Sequence, residues 1–449
     1  MMKNRKIKFT RLGLHNFKSI NDGEIYFPYY LSLQNKSYQC YEDSAVIGIY
    51  GQNGSGKTTL IEALKIVGDI LKGHKLNKGI IDCFKNKEKP IILETSFIDL
   101  DNNIKIDYCV TIIKDSGTCQ IDKETLSIKD GKKTSYFDFA YENENVTCQE
   151  FNKVLTVKHI EEYLNIVMSN KEYPFYSKLF IDRALTYLSL TKLKDSLSLI
   201  YIELIKEFAT TKLIIYSISY FNEFDEVGIR FFLKQINKEN DTIEYGNIFV
   251  PFNLTYLPIA TYCVFKSTIE KINHVLPFII PHYRIRIRID ATKRNDEMVN
   301  FVLTAIRNEK EIPLVYESNG IKKLISILSG LIEAFNNDGT LLAIDELDSG
   351  VFEYLLGEVL YAFNSFAKGQ LIFTSHNMRP LEKLSSQNIF FTTTDKKRAF
   401  IRLPDFEPTC NLRDLYYRYI GLSENEENFL FDLVNTEDLI DAFFMEEEW

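Results

Sequence analysis

"IGIYGQNGSGKTTLIEAL", residues 47–64, joins a short apolar run to a glycine-rich loop and then to a helix-like stretch. Gly51, Gly56, Lys57 and Thr58 satisfy the pattern G-x-x-x-x-G-K-[ST]. The glycines permit a tight loop whose backbone N–H groups point inward, and the start of the helix adds partial positive charge. In such a cradle Lys57 reaches the β- and γ-phosphates of a nucleotide, and the Thr58 hydroxyl ligates Mg²⁺. The expected contacts to ATP are therefore Gly51, Asn53, Gly54, Ser55, Gly56, Lys57, Thr58 and Thr59.

A phosphate cradle of this kind needs a second, acidic element. "GTLLAIDELDSG" supplies four apolar residues, Leu341 to Ile344, running into Asp345 and Glu346. Ending a buried strand on two carboxylates is costly unless they are paired or hold a cation. Asp345 is the expected Mg²⁺ ligand, and Glu346 the group that polarises an attacking water. "LIFTSHNM" is a further apolar strand ending in Thr374, Ser375 and His376, which puts His376 where it can contact a γ-phosphate. Lys57, Glu346 and His376 are the catalytic candidates. "VYESNGIKKLISILSGLIEAF" places Ser318 at the start of a helix just before the acidic strand. It is an N-cap there, and that helix end is also suited to an anion.

The rest of the chain fits one head built of two lobes. "KIKFTRLGLHNFKSI" and "GEIYF" read as opening strands, and residues 90–140 alternate like a meander. Helical spacing dominates from about 150 to 280, and strand signals return at 283. The expected organisation is an N-terminal lobe over 1–150, a mainly helical insertion over 151–282, a C-terminal lobe over 283–420 and an acidic tail over 421–449. Neither sustained heptads nor a repeat predicts a coiled-coil arm. Seven scattered cysteines without a CxxC pair suit a reducing compartment and buried thiols. The apolar stretches near 196–221 and 256–280 carry charges that argue against membrane spans, so a cytoplasmic protein is expected. The formal net charge of -9 argues against a coat of nucleic acid but leaves room for a local basic groove.

Together these segments resemble the ABC-type ATPase heads of the OLD/RecF/SMC-like group. "LHNFKSI" is similar to their opening strand, "GQNGSGKTTLIEAL" to Walker A, Ser318-Asn319-Gly320 to the signature motif, "LLAIDELDSG" to Walker B with the D-loop, and "TSHN" to the switch-histidine segment. The resemblance implies an α/β P-loop head, a mixed sheet with flanking helices split by the insertion. It also implies an ATP-sandwiched homodimer or a higher oligomer, in which Ser318 and Gly320 of one head complete the site around Lys57 of the other. Departures are Glu317, Asn319 and Ile321 within the signature, "DSGVFEYLL" without the Leu-His-Pro often found after Walker B, and no assignable Q-loop glutamine.

The segment after "IRLPDFEP" is too short for the metal-dependent nuclease domain of OLD nucleases. The expectation is an ATPase without its own nuclease. It resembles the ATPase components of two-gene antiphage systems, such as AriA of PARIS and the first component of AbiL. That resemblance implies a sensor of a phage-encoded trigger protein or DNA that controls a separate effector nuclease. A RecF/SMC-like DNA-repair clamp is the alternative, and a transporter ATPase a third class. In "HYRIRIRID" Arg284, Arg286 and Arg288 share one strand face, suited to phosphates, to an acidic protein or simply to salt bridges. The acidic, aromatic tail suits docking on its own head or on a partner.

Overall fold

The computed structural model describes residues 5–28, 45–115, 117–131, 133–142, 145–146, 162–163, 165–167, 173–190, 197–217, 228–237, 242–253, 255–290, 298–393, 398–403 and 412–421. The first lobe contains β1 (Lys8–Phe17), β2 (Ile20–Tyr26), β3 (Val46–Tyr50), α1 (Lys57–Leu71), β4 (Ile91–Asp99), β5 (Ile104–Asp115), β6 (Thr118–Asp130), β7 (Lys133–Glu142) and β8 (Asn145–Val146). Next come α2 (Asp182–Ser189), α3 (Leu197–Glu207), β9 (Leu213–Tyr216), β10 (Gly228–Asn237), β11 (Thr242–Pro251), β12 (Thr255–Pro258) and α4 (Ile259–Ile279). They are followed by β13 (Tyr283–Ile289), β14 (Met298–Arg307), β15 (Lys310–Pro313), α5 (Asn319–Asn336), β16 (Leu341–Ile344), α6 (Glu353–Phe366) and β17 (Gln370–Thr374). The last are α7 (Pro380–Lys383), β18 (Ile389–Thr392), β19 (Phe400–Ile401) and α8 (Leu412–Gly421).

A six-stranded sheet in the order β19-β18-β3-β17-β16-β9 carries the site. Its strands pair in parallel except for β19. β3, β16 and β17 are buried at every position, the continuous apolar run that a parallel sheet covered on both faces requires. Successive side chains point to opposite faces. Ile47, Ile49, Leu341, Ala343 and Ile372 enter one core with the apolar side of α1. Val46, Tyr50, Leu342, Ile344, Leu371 and Phe373 enter the other, against α4, α5 and α6. This is an α/β P-loop ATPase head, with mixed sheets and flanking helices.

The opening strands and the meander form a second sheet, β2-β1-β4-β5-β6-β7-β8, antiparallel throughout. β5 alternates buried and half-buried positions, as a sheet with one covered face should. Leu12, Leu14, Leu93 and Val110 close the first core over α1.

The stretch 151–282, expected to be mainly helical, is mixed where it is described. Strands β9, β10, β11 and β12 lie among α2, α3 and α4, and β9 pairs with β16 inside the core sheet. "LIIY" at 213–216 is too short a run for periodicity to tell strand from helix. The tail beyond Gly421 lies outside the described residues. Of the cysteines expected to be buried, Cys83 and Cys119 are, whereas Cys263 on α4 is exposed. Among the described residues no helix is long and apolar enough to cross a membrane.

One buried polar cluster ties residues 176–180 to the antiparallel sheet. The Glu124 carboxylate accepts from Tyr108 Oη (2.7 Å), Ser177 Oγ (2.7 Å) and the Lys178 backbone N–H (2.7 Å). Lys178 Nζ donates to the carbonyls of Tyr176 (3.1 Å) and Ile121 (3.3 Å). Burial pulls the Lys178 ammonium down to about 8, with Glu124 opposing the shift. Between that value and the ordinary lysine value the unfolded chain binds more protons, so this group makes stability rise with pH through that window. Relative to Lys178→Met, the wild type should gain about 1–2 kcal/mol between pH 8 and pH 10 in denaturant titrations. Parallel curves for the two proteins over that range would refute the assignment.

Candidate functional site

The loop between β3 and α1 is held from below by β18. Gly51 (φ 151°) and Gly56 (φ 103°), the latter at the N-cap of α1, adopt conformations that side chains disfavour. A Cβ on Gly51 would lie 1.6 Å from Thr392 Oγ1. Thr392 Oγ1 meets Ser55 Oγ at 2.6 Å and the Tyr50 carbonyl at 3.2 Å, while Ser55 Oγ donates to Gln52 O at 2.6 Å. Asn53 and Gly54 are exposed at the loop tip, and Thr59 is buried under it. Lys57 Nζ donates to the carbonyls of Gly51 (2.8 Å) and Gln52 (2.7 Å). Burial lowers the Lys57 ammonium below the ordinary lysine value, and Asp345, Glu346 and Asp348 oppose that shift. The ammonium is thus tied to the carbonyls of its own loop.

The acidic element meets the cradle because β16 and β17 are in register, Ile344 opposite Phe373. The next residues, Asp345 and Thr374, consequently sit side by side. Asp345 is fully buried, and its Oδ1 accepts from Thr374 Oγ1 (2.5 Å) and Thr58 Oγ1 (3.3 Å). Its Oδ2 is buried without a hydrogen-bond partner among the described residues. An orphaned buried carboxylate oxygen beside a threonine hydroxyl fits a hard divalent cation with oxygen ligands, so Thr58 and Asp345 suit Mg²⁺. Glu346 follows with φ 47°, a left-handed backbone that costs a non-glycine residue about 1–2 kcal/mol. Its N–H donates to Thr374 Oγ1 (2.7 Å), and its carbonyl accepts from Lys323 Nζ (2.6 Å) and the Ser349 N–H (3.0 Å).

His376 leaves the end of β17 with its side chain exposed, and its backbone N–H donates to Asp348 Oδ2 (3.1 Å), as does that of Asn377 (3.1 Å). Ser318 caps α5, accepting from the Ile321 N–H at 3.3 Å, and both Ser318 and Asn319 are exposed. Gly320 lies against Gly350: a Cβ added to Gly350 would sit 2.4 Å from Gly320 Cα. The start of α5 is thus packed on the loop that follows Glu346 in the same chain.

The structure brings together Lys57, Thr58, Asp345 and Glu346, whereas His376 meets Asp348 through its backbone N–H alone and its side chain stays exposed. It leaves Ser318 on an exposed helix end, where its hydroxyl caps α5. Thr374, Thr392, Asp348 and Lys323 are partners of the site that no local pattern in the sequence marks. Thr374, Asp348 and Lys323 lie within the strand, D-loop and signature segments, but no spacing rule marks Lys323 or Thr392.

The AAA domain family model matches residues 11–248, more than half of the chain, and the chain belongs to this family. The matched span includes the cradle and ends before α5. No curated protein matches the sequence. Among solved structures the chain is similar to an Smc head bound to the C-winged helix domain of ScpA, at 12% identity and a TM-score of 0.42, covering 88% of this chain and 97% of that one. An Smc head with an extended coiled coil, bound to the C-terminal domain of ScpA derived from Pyrococcus furiosus, gives 13% identity and 0.40 over 93% and 99%. The recombination mediator RecF gives 11% identity and 0.39 over 90% and 100%.

The Thr374 hydroxyl serves Asp345 and Glu346 together. Thr374→Val should cost about 1–3 kcal/mol in equilibrium denaturation because it strips partners from buried polar groups, while Thr374→Ser should retain most of that stability. Equal stability of the Val and Ser variants would show that the shared hydroxyl contributes nothing.

Proposed function

We propose that the chain binds and hydrolyses ATP, pairs with a second copy through nucleotide held between heads, and uses that pairing to control a separate effector nuclease in antiphage defence. The observation that carries the chemical half is the convergence of Lys57 and Thr58, at the start of α1 after β3, with Asp345 and Glu346, which follow β16, across the intervening parallel strand β17. In this reading the backbone N–H groups of Gly51 to Thr59 cradle the phosphates, and Lys57 neutralises the β- and γ-oxygens. Thr58 and Asp345 hold Mg²⁺, which supplies charge neutralisation on the phosphates when bound. Glu346 polarises and orients the attacking water, and His376 contacts the γ-phosphate.

The pairing half is supported by exposure around the start of α5. Ser318 and Asn319 are open to solvent, Tyr316 is 79% exposed and Phe352 is 74% exposed. Large aromatics beside an open helix N-terminus suit a surface that a second copy covers, with Ser318 and Gly320 meeting the phosphates at Lys57 of that copy. The defence role, the phage-encoded trigger and the nuclease partner rest on the resemblance to the ATPases of PARIS and AbiL. A second reading, a RecF/SMC-like clamp on DNA, has its own support in β13. Arg284, Arg286 and Arg288 are all exposed on one face, and Arg286 pairs with Glu311 at 2.9 Å. A basic strand face of this kind tracks phosphates.

Lys57→Ala should lose ATP binding in a direct titration. Glu346→Gln should bind ATP, slow its hydrolysis by about 100-fold or more, and accumulate paired heads in sedimentation with Mg²⁺ and ATP. Ser318→Arg should abolish that pairing while the monomer still folds, its melting temperature lowered only by the loss of the α5 cap. Purification of tagged Glu346→Gln with its native neighbouring genes separates the two roles. A stoichiometric nuclease supports the defence reading, whereas salt-sensitive capture of duplex DNA alone supports the clamp. Wild-type turnover by Glu346→Gln would overturn the assignment of the water-orienting group.

A further inference from the structure

We propose that Lys323 is a positioning residue that holds Glu346 in its working conformation and links it mechanically to the exposed start of α5. The inference rests on the reading of Glu346 as the group that orients water, and adds a residue to which no motif assigns a role.

Glu346 occupies a left-handed backbone that a glutamate does not adopt unaided, so its surroundings must impose it. Two side chains do so from opposite sides. Thr374 Oγ1 takes the Glu346 N–H at 2.7 Å, and Lys323 Nζ donates to the Glu346 carbonyl at 2.6 Å. The first belongs to β17 and stays with the core sheet. The second belongs to α5, less than two turns from the Ser318 cap. Lys323 is half-buried, and burial lowers its ammonium below the ordinary lysine value, with the charges of Glu346, Asp348 and Asp345 opposing the shift. A charge-assisted bond to a carbonyl in such surroundings is short and directional.

The same helix touches this loop a second time. Gly320 is packed on Gly350, where neither position has room for a Cβ without displacement of the other. The first two turns of α5 and residues 346–350 therefore form one unit, fastened at Lys323 and at the glycine pair. Any shift of α5 when a second copy engages Ser318 is delivered to the Glu346 peptide rather than absorbed between the helix and the loop. Lys323 touches neither phosphate nor water in this scheme. Its contribution is to the aim of the Glu346 carboxylate, so its loss should appear in turnover and not in nucleotide affinity.

The test uses the full chain, with ATP turnover measured for wild type, Lys323→Met, Glu346→Gln and the double variant, alongside ATP affinity and melting temperature. Lys323→Met should reduce kcat by about 10-fold or more while KM stays within about 2-fold, and the double variant should be no slower than Glu346→Gln. Lys323→Ala, which keeps high helix propensity, should give the same split if the methionine variant folds poorly. Unchanged kcat in a folded Lys323 variant, a loss confined to KM, or a loss that multiplies with that of Glu346→Gln overturns the inference while leaving the proposed function intact. Wild-type turnover by Glu346→Gln overturns both.

Discussion

The hydroxyl of Thr374 is the point on which the site depends. It donates to Asp345, accepts from the Glu346 N–H, and stands at the end of the strand that also aims His376. A single hydroxyl can serve both acids only because β16 and β17 run parallel with Ile344 opposite Phe373. One residue of slip would turn Asp345 or Thr374 to the other side of the sheet and leave a carboxylate buried without a donor. The register of two short apolar strands thus fixes the chemistry at their ends.

Those strands hold register because they are buried on both faces. Alternate side chains from β3, β16 and β17 feed two separate cores, one against α1 and one against α4, α5 and α6. The polar residues are confined to the strand ends, where a loop can bring donors to them. Thr392 repeats the arrangement on β18, closing on Ser55 and Tyr50 so that Gly51 has no space for a side chain. The cradle is shaped as much by the neighbouring strand as by its own glycines.

Polarity then separates the cradle from the start of α5. Lys57 and Asp345 are buried, with Lys57 bonded to the carbonyls of Gly51 and Gln52. The start of α5 is open; the exposed Tyr316 precedes it in the chain, and the exposed Phe352 follows Gly350, which packs on Gly320. Lys323 and the Gly320–Gly350 contact are the physical links between the two. Such a layout suits a switch, because a change at the open surface reaches the acids through one charged bond and one tight backbone contact.

The sequence by itself determined the P-loop head and its buried apolar core strands, and it put Lys57, Thr58, Asp345 and Glu346 at the ends of their local segments. Apolar runs ending in glycine or acid are local patterns, and each constrains its own backbone and burial. The opening strands and the meander were legible for the same reason. The place of 213–216 in the core sheet was not, since four apolar residues carry no usable period. Nor were the roles of Thr374, Thr392, Asp348 and Lys323 as partners of the site. Their partners lie far along the chain, as with Lys323 and Glu346, or Thr392 and Ser55. Only tertiary structure decided those pairings, because a hydrogen bond across strands or helices is set by register and packing angle, and neither is written in the spacing of one segment.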